Sequence, residues 1–262
     1  MINRKTREFL TWPLAPTHID MNQDTDLLKM VGMVSMLIDH AGKMLFPQYA
    51  VMRIIGRLAF PIYAYCIAVG CVRSQNIFNY LKRILLIGLI SQPFYAVALS
   101  HETRAMYAYS ITKEPLRAIF HFYMESWATP NIMLTLAMGV LLIWMLRSKQ
   151  LVMTAAVALL CWLLDHKINY GFRGVLLMVL FYVFCWKWWL SLPIILGYLL
   201  WWGGQGGGYS LFEVRFGLQM FSIFALPLIY IRTKSGLHIN KWVFYFFYPA
   251  HLILIMAFDR FI

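Results

Sequence analysis

The sequence predicts an all-α protein, a polytopic integral membrane bundle of about nine transmembrane helices. Three observations predict it. Of the 262 residues, 61% are hydrophobic and 13% are charged, whereas soluble domains carry about 25% charged residues. The apolar residues fall in runs that reach the roughly 17–25 residues a helix needs to span a bilayer. Lys and Arg flank those runs, as the positive bias of short cytoplasmic loops expects. The net charge of +12 therefore reads as a basic membrane face suited to anionic lipids, and not as a nucleic-acid surface.

Residues 1–26 are polar, mixed in charge and without the shape of a signal peptide, and read as a cytoplasmic tail. Residues 27–262 read as one transmembrane domain. Its spans fall at about 28–46, 52–72, 81–99, 131–147, 151–165, 173–186, 188–203, 215–231 and 242–260. The turn at Trp186–Trp189 is an aromatic belt with one anchor charge, Lys187. Arg73, Lys82, Arg83, Arg147, Lys149, Lys187, Arg232, Lys234 and Lys241 all fall on one side of such a chain. That side is the cytoplasm, with the N-terminus inside and the C-terminus outside the cytoplasmic membrane. The longest opposite loop balances Arg104, Lys113 and Arg117 with Glu102, Glu114 and Glu125. Within it, 115–127 reads as an interfacial helix. Cys66, Cys71, Cys161 and Cys185 sit in apolar runs without metal-ligand spacing and read as small core residues; no metal is expected.

The first span is the informative one. It carries Asp39 and His40 side by side, and ionisable groups inside a membrane are costly and usually functional. Lys29 and His40 lie about three turns plus 20° apart, hence on one helix face and roughly 16 Å apart along the axis. Met33 and Met36 lie between them on that face. A basic anchor, an adaptable apolar groove and an imidazole beside a carboxylate suit a long anionic molecule with a reactive end.

Alternation of the spans brings further polar groups to the same side as His40. Arg53 and Arg57 lie one turn apart in the second span. Arg57 is deep enough to need a partner, and Asp39 is the obvious one. Asn131 opens the fourth span after Pro130, where a helix cap is the plainer reading. Asp165, His166, Asn169 and Arg173 bracket the turn between the fifth and sixth spans. Tyr245, Tyr248 and His251 lie in the ninth span, where Pro249 frees a backbone carbonyl. Each of these has an ordinary structural reading, and the case rests on their convergence.

At these residues the chain resembles the TraX family of membrane acetyltransferases, named for the conjugal-pilin N-acetylase. The matching stretches are LKMVGMVSMLIDHAG at 28–42, RIIGRLAFPIYAYCIAVG at 53–70, RILLIGLISQPF at 83–94, NIMLTLAMG at 131–139, NYGFRGVLL at 169–177 and KWVFYFFYPAHL at 241–252. The family pattern has Asp before Tyr-Gly, where this chain has Asn169, with Asp165 one turn earlier. More distantly the chain is similar to the acyltransferase-3 group, which carries a basic residue, ten intervening residues and a His, the spacing of Lys29 and His40.

The resemblance implies an acyltransferase-like domain that moves acetyl from cytoplasmic acetyl-CoA to an amine or hydroxyl of an exported acceptor, a peptide, pilin or glycan. It implies His40 as general base, oriented by Asp39. Lys29, Arg53 and Arg57 are then expected to bind the coenzyme. Arg57, Asn131, Asn169, Tyr248 and His251 are expected to meet the acceptor or the oxyanion. Intramembrane Asp, His and Arg would also suit a small proton-coupled transporter or flippase. No internal repeat supports that alternative.

Overall fold

The computed structural model describes residues 16–99, 114–211 and 214–259. Helices dominate them: α1 Thr25–Met44, α2 Ala50–Gly56, α3 Ala59–Arg73, α4 Ile77–Leu99, α5 Pro115–Ser126, α6 Ile132–Arg147, α7 Leu151–Leu163, α8 Gly171–Phe184 and α9 Trp188–Gly204. A short antiparallel ribbon of β1 Tyr209–Leu211 and β2 Val214–Phe216 follows. A 3-10 segment, Leu218–Ala225, leads into α10 Leu226–Tyr230, and α11 Lys241–Asp259 comes last. The tail up to residue 15 and the charged residues Glu102, Arg104 and Lys113 lie outside the described residues.

Among the described residues, three helical stretches are long and apolar enough to cross a membrane: Ala50–Arg73, Ile77–Leu99 and Lys241–Asp259. Ile132–Arg147, Leu151–Leu163, Gly171–Phe184 and Leu218–Tyr230 are apolar but shorter. The expected second span is two helices, α2 and α3, with a turn at Arg57 and Leu58. The ribbon departs from an all-helical reading. Gly206 and Gly217 close its base, where a Cβ on either would strike the other's backbone.

The outer surface is that of membrane helices. α7 buries only Cys161 and leaves Val152, Trp162 and Leu163 exposed. Leu86, Ile90, Leu254 and Phe258 are likewise exposed on α4 and α11. Contiguous apolar surface of this kind is avoided in water. The core lies around α3, whose Ile62, Ala64, Tyr65 and Ala68 are fully buried, packed with Val140 and Ile143 of α6 and Phe181 of α8. The four cysteines are free and buried, as small core residues.

Hydrogen bonds sort the polar groups to two ends. At one end Arg147 donates to the carbonyls of Cys71 and Ser74, Arg73 to Gln23, and Arg232 to Asp20. Residues 18–24, expected as the end of a polar tail, are built into this end. Met21 and Asn22 are buried, Asn22 donates to the carbonyl of Leu228, and the Tyr65 hydroxyl donates to the carbonyl of Asn22. Asp24 caps α1 and also accepts from the backbone of Ser235, tying the 231–240 loop to the start of the first helix. The His40 residues gather at the other end.

Candidate active site

Asp39 and His40 occupy the last turns of α1, yet they point to different partners. The Asp39 carboxylate accepts from Arg57 Nη2 at 2.8 and 2.9 Å and from Arg53 Nη1 at 2.8 Å. Arg57 also donates to the carbonyl of Arg53 and, at 3.4 Å, to the Tyr170 hydroxyl. Gly56 is what lets this form: a Cβ there would land on the Asp39 side chain. Asp39 and Arg57 side chains are each only 11% exposed, so the pair is a buried one whose members need each other.

His40 takes its partner from the far end of the chain. Its Nδ1 lies 2.8 Å from Nε2 of His251, and the two rings are nearly parallel. His251 Nδ1 in turn lies 2.8 Å from the carbonyl of Phe247. A carbonyl only accepts, so His251 carries its proton on Nδ1. With both rings neutral, Nε2 of His251 then presents a lone pair, and Nδ1 of His40 is the donor. The lone pair of His40 is thereby fixed on Nε2. The expectation that Asp39 orients His40 is corrected here. Two arginines occupy the carboxylate, and a second histidine holds the imidazole.

Asp39 and His40 line a cavity of about 260 Å³, with His251 behind His40 and outside the lining. Asp39, His40, Lys43, Arg53 and Arg57 form its polar side, and Met36, Tyr63, Met133, Leu136 and Phe244 its apolar side. Met36 takes the place on this wall expected for the α1 groove. Lys29 does not line it. Its ammonium pairs with Asp26 at 3.3 Å and sits 4.8 Å from the centre of the Phe244 ring, behind the cavity wall.

The remaining expected residues divide. Asn131 is the cap of α6: its Oδ1 accepts from the Met133 amide at 3.0 Å, and its Nδ2 donates to the carbonyl of Gly88 at 2.7 Å. It is not among the residues lining the cavity, and the cap expected after Pro130 is what it forms. Asn169 lines the cavity, but its Nδ2 is spent on the carbonyl of Pro130 at 2.7 Å and on the Tyr95 hydroxyl at 3.0 Å. A carboxylate could not donate to Pro130, which accounts for an amide at this position in this chain. Asp165 accepts from the amide of Phe172 at the start of α8 and does not replace the missing acid in the cavity. Tyr248 is 1% exposed and lines the cavity, and its hydroxyl is buried beside the backbone of Ile132.

Two lining residues were missed from the sequence. Tyr170 adopts a left-handed backbone, φ 62°, which costs a bulky residue about 1–3 kcal/mol. Its ring stacks on Phe60 at 3.9 Å and its hydroxyl accepts from Arg57, and these contacts hold it there. The Tyr-Gly pair at 170–171 was the available signal. Lys43 lies one turn beyond Asp39 and lines the cavity.

The family model described as TraX protein matches residues 24–258, from the cap of α1 to the end of α11. The probable fimbrial assembly protein FimC, serogroup H1, of Dichelobacter nodosus is 25% identical over 255 residues, 90% of this chain and 95% of that protein. The uncharacterized protein RP591 of Rickettsia prowazekii (strain Madrid E) is 38% identical over 73 residues, 28% of this chain and 27% of that protein. No solved structure matches the chain. With both members of the His40–His251 pair inside the matched range, the chain belongs to the TraX protein family.

Proposed function

We propose that the chain is a membrane-embedded acetyltransferase that moves an acetyl group from acetyl-CoA, as a substrate, to an amine of an exported acceptor. The observation that carries this reading is the His40–His251 hydrogen bond, which leaves Nε2 of His40 as a free base in a small cavity. The name of the relative from Dichelobacter nodosus favours a pilin or other fimbrial subunit as the acceptor.

The steps follow from the groups present. His40 Nε2 takes a proton from the acceptor amine as its nitrogen attacks the thioester carbonyl, forming the C–N bond. His251 Nε2 accepts from Nδ1 of the resulting imidazolium, the task a carboxylate performs in other His-dependent acyl transfers. The Tyr248 hydroxyl, buried on the cavity wall, donates to the carbonyl oxygen as it gains charge. The C–S bond then breaks, and the imidazolium returns its proton to the leaving sulfur. The products are an amide and free coenzyme A. Arg57 and Arg53 hold Asp39 and set the polar wall.

The fit favours the thin end of the donor. About 260 Å³ takes an acetylated thiol tail and an amine, while a whole drug-sized ligand fills roughly 300–1,000 Å³. The nucleotide end then lies outside, at the end that carries Lys29. That end also carries Arg73, Arg147 and Arg232. By the positive-inside rule it faces the cytoplasm, with nine passes, the N-terminus inside and the C-terminus outside. The acceptor approaches from the opposite side.

The test is thiol release from acetyl-CoA by detergent-purified protein, with mass spectrometry of an amine-bearing peptide. Wild type is expected to release thiol and add acetyl in step, and His40→Ala to lose both while staying folded, since base catalysis contributes about 10²–10⁴-fold. Full activity in His40→Ala overturns the mechanism.

A further inference from the structure

Among the described residues, the side chains lining the cavity carry more positive charge than they neutralise. Arg53 and Arg57 share one carboxylate, Asp39. Lys43 has a backbone carbonyl, that of Leu99 at 3.0 Å, as its hydrogen-bonding partner. Among the residues lining the cavity Asp39 is the one acid. Among the described residues, three cations against one anion leave a surplus of two charges around a partly desolvated space.

The surplus is also in an unusual place. Lys and Arg collect at the cytoplasmic ends of membrane helices, yet Lys43 and Arg53 stand at the end opposite Arg73, Arg147 and Arg232. Arg57 is consumed, with donors committed to Asp39, Tyr170 and the Arg53 carbonyl. Arg53 is committed through Nη1 alone, and its side chain is 27% exposed. Lys43 is exposed at the rim. The groups with free donors are therefore those nearest solvent.

We propose that Lys43 and Arg53 form an anion-binding rim that docks a carboxylate of the acceptor, so that the protein selects acidic peptide N-termini. This rests on the acetyltransferase reading for the direction of approach. The donor comes from the Lys29 end, so the rim at the other end meets the acceptor. A guanidinium and an ammonium flanking the mouth match a carboxylate a few residues from the reacting amine. Charge at the rim also steers an acidic segment toward the cavity before contact.

The experiment measures binding as well as turnover. Two synthetic hexapeptides with free N-terminal amines are compared, identical but for Asp or Asn at the second and third positions. Purified wild type is expected to bind the Asp peptide about tenfold or more tightly than the Asn peptide, a difference one charge-assisted contact supplies. In Lys43→Gln the gap narrows while coenzyme A binding is unchanged, and in the Lys43→Gln, Arg53→Gln double variant the gap closes. Equal binding of the two peptides by wild type overturns the proposal, and so does binding of neither. Loss of coenzyme A affinity in the double variant with the peptide gap intact also overturns it, assigning the rim to the donor's phosphates. Selective peptide binding without any acetyl transfer fails the acetyltransferase reading and leaves the rim standing.

Discussion

His40 and His251 lie 211 positions apart and share a 2.8 Å hydrogen bond between Nδ1 of the first and Nε2 of the second. The bond joins the first helix to the last and sets which nitrogen of His40 is free. Its direction is decided a step away, by the carbonyl of Phe247.

His251 is thus a positioning residue, and its variants separate that task from simple packing. His251→Ala leaves the His40 Nδ1 proton without an acceptor, and kcat is expected to fall on the order of 10²-fold with KM for acetyl-CoA little changed. His251→Gln supplies a carbonyl oxygen and is expected to recover part of the loss. Equal activity of the Ala and Gln variants would remove the hydrogen bond from the mechanism.

Tyr248→Phe deletes one hydroxyl and nothing else. If that hydroxyl meets the oxyanion, kcat falls about 10²–10³-fold, the range for one such donor. Among the described residues the hydroxyl has only the backbone of Ile132 beside it, so thermal stability should change by about 1 kcal/mol or less on its removal. A variant that is less stable and fully active would make Tyr248 a structural residue.

Asp39→Asn is expected to act on stability first. It leaves the Arg57 guanidinium, 11% exposed, without its counter-charge, and breaking a buried pair costs about 3–5 kcal/mol. Gly56→Ala should mimic it in part, since a Cβ there displaces the Asp39 side chain, with about 1–3 kcal/mol typical of overpacking. Both are read by thermal unfolding in detergent. A stable, inactive Asp39→Asn would return the carboxylate to a direct role in the chemistry.

Asp24 gives a pH-dependent effect outside the membrane spans. The amide and hydroxyl of Ser235, then the amide of Leu27 and the Thr233 hydroxyl, hold its carboxyl below the ordinary value of 3.8. A depressed carboxyl stabilises the fold above the unfolded value and loses that contribution as pH falls through the folded one. Wild type should therefore exceed Asp24→Asn in thermal stability at neutral pH, and the two should converge below pH 3.8. A gap that persists in acid would assign the effect to packing.

How far the sequence could be read depends on the reach of each interaction. Helix periodicity and alternation placed Asp39, Arg57, Asn169 and His251 toward one end, and loop charge placed Arg73, Arg147 and Arg232 at the other. The depth of Arg57 in its helix pointed to Asp39. The partner of His40 was not legible, because its neighbour in sequence, Asp39, offered a familiar arrangement, while the true partner came from a helix 211 positions away. Asn131 was legible as a helix cap after Pro130, but that the carbonyls of Gly88 and Pro130 claim the side-chain amides of Asn131 and Asn169 was not. Those carbonyls are backbone groups, and no residue identity announces them. Tyr170 was hidden for a related reason. Its place depends on a left-handed backbone and on Phe60, brought beside it by α3 and α8 packing.

The loop after α10 is tied by Asp24 and Asp26 to the start of α1, and α11 then brings His251 to His40. Domains emerge and settle from the N-terminus as they are made. The Asp39–Arg57 pair can therefore close as soon as α2 is inserted, while the imidazole of His40 waits for the final helix. A nascent chain that stops short of α11 keeps a neutralised Asp39 and an untethered His40. On the acetyltransferase reading, synthesis itself is then the safeguard against premature turnover of the donor: His40 gains its partner when the last helix enters the bilayer.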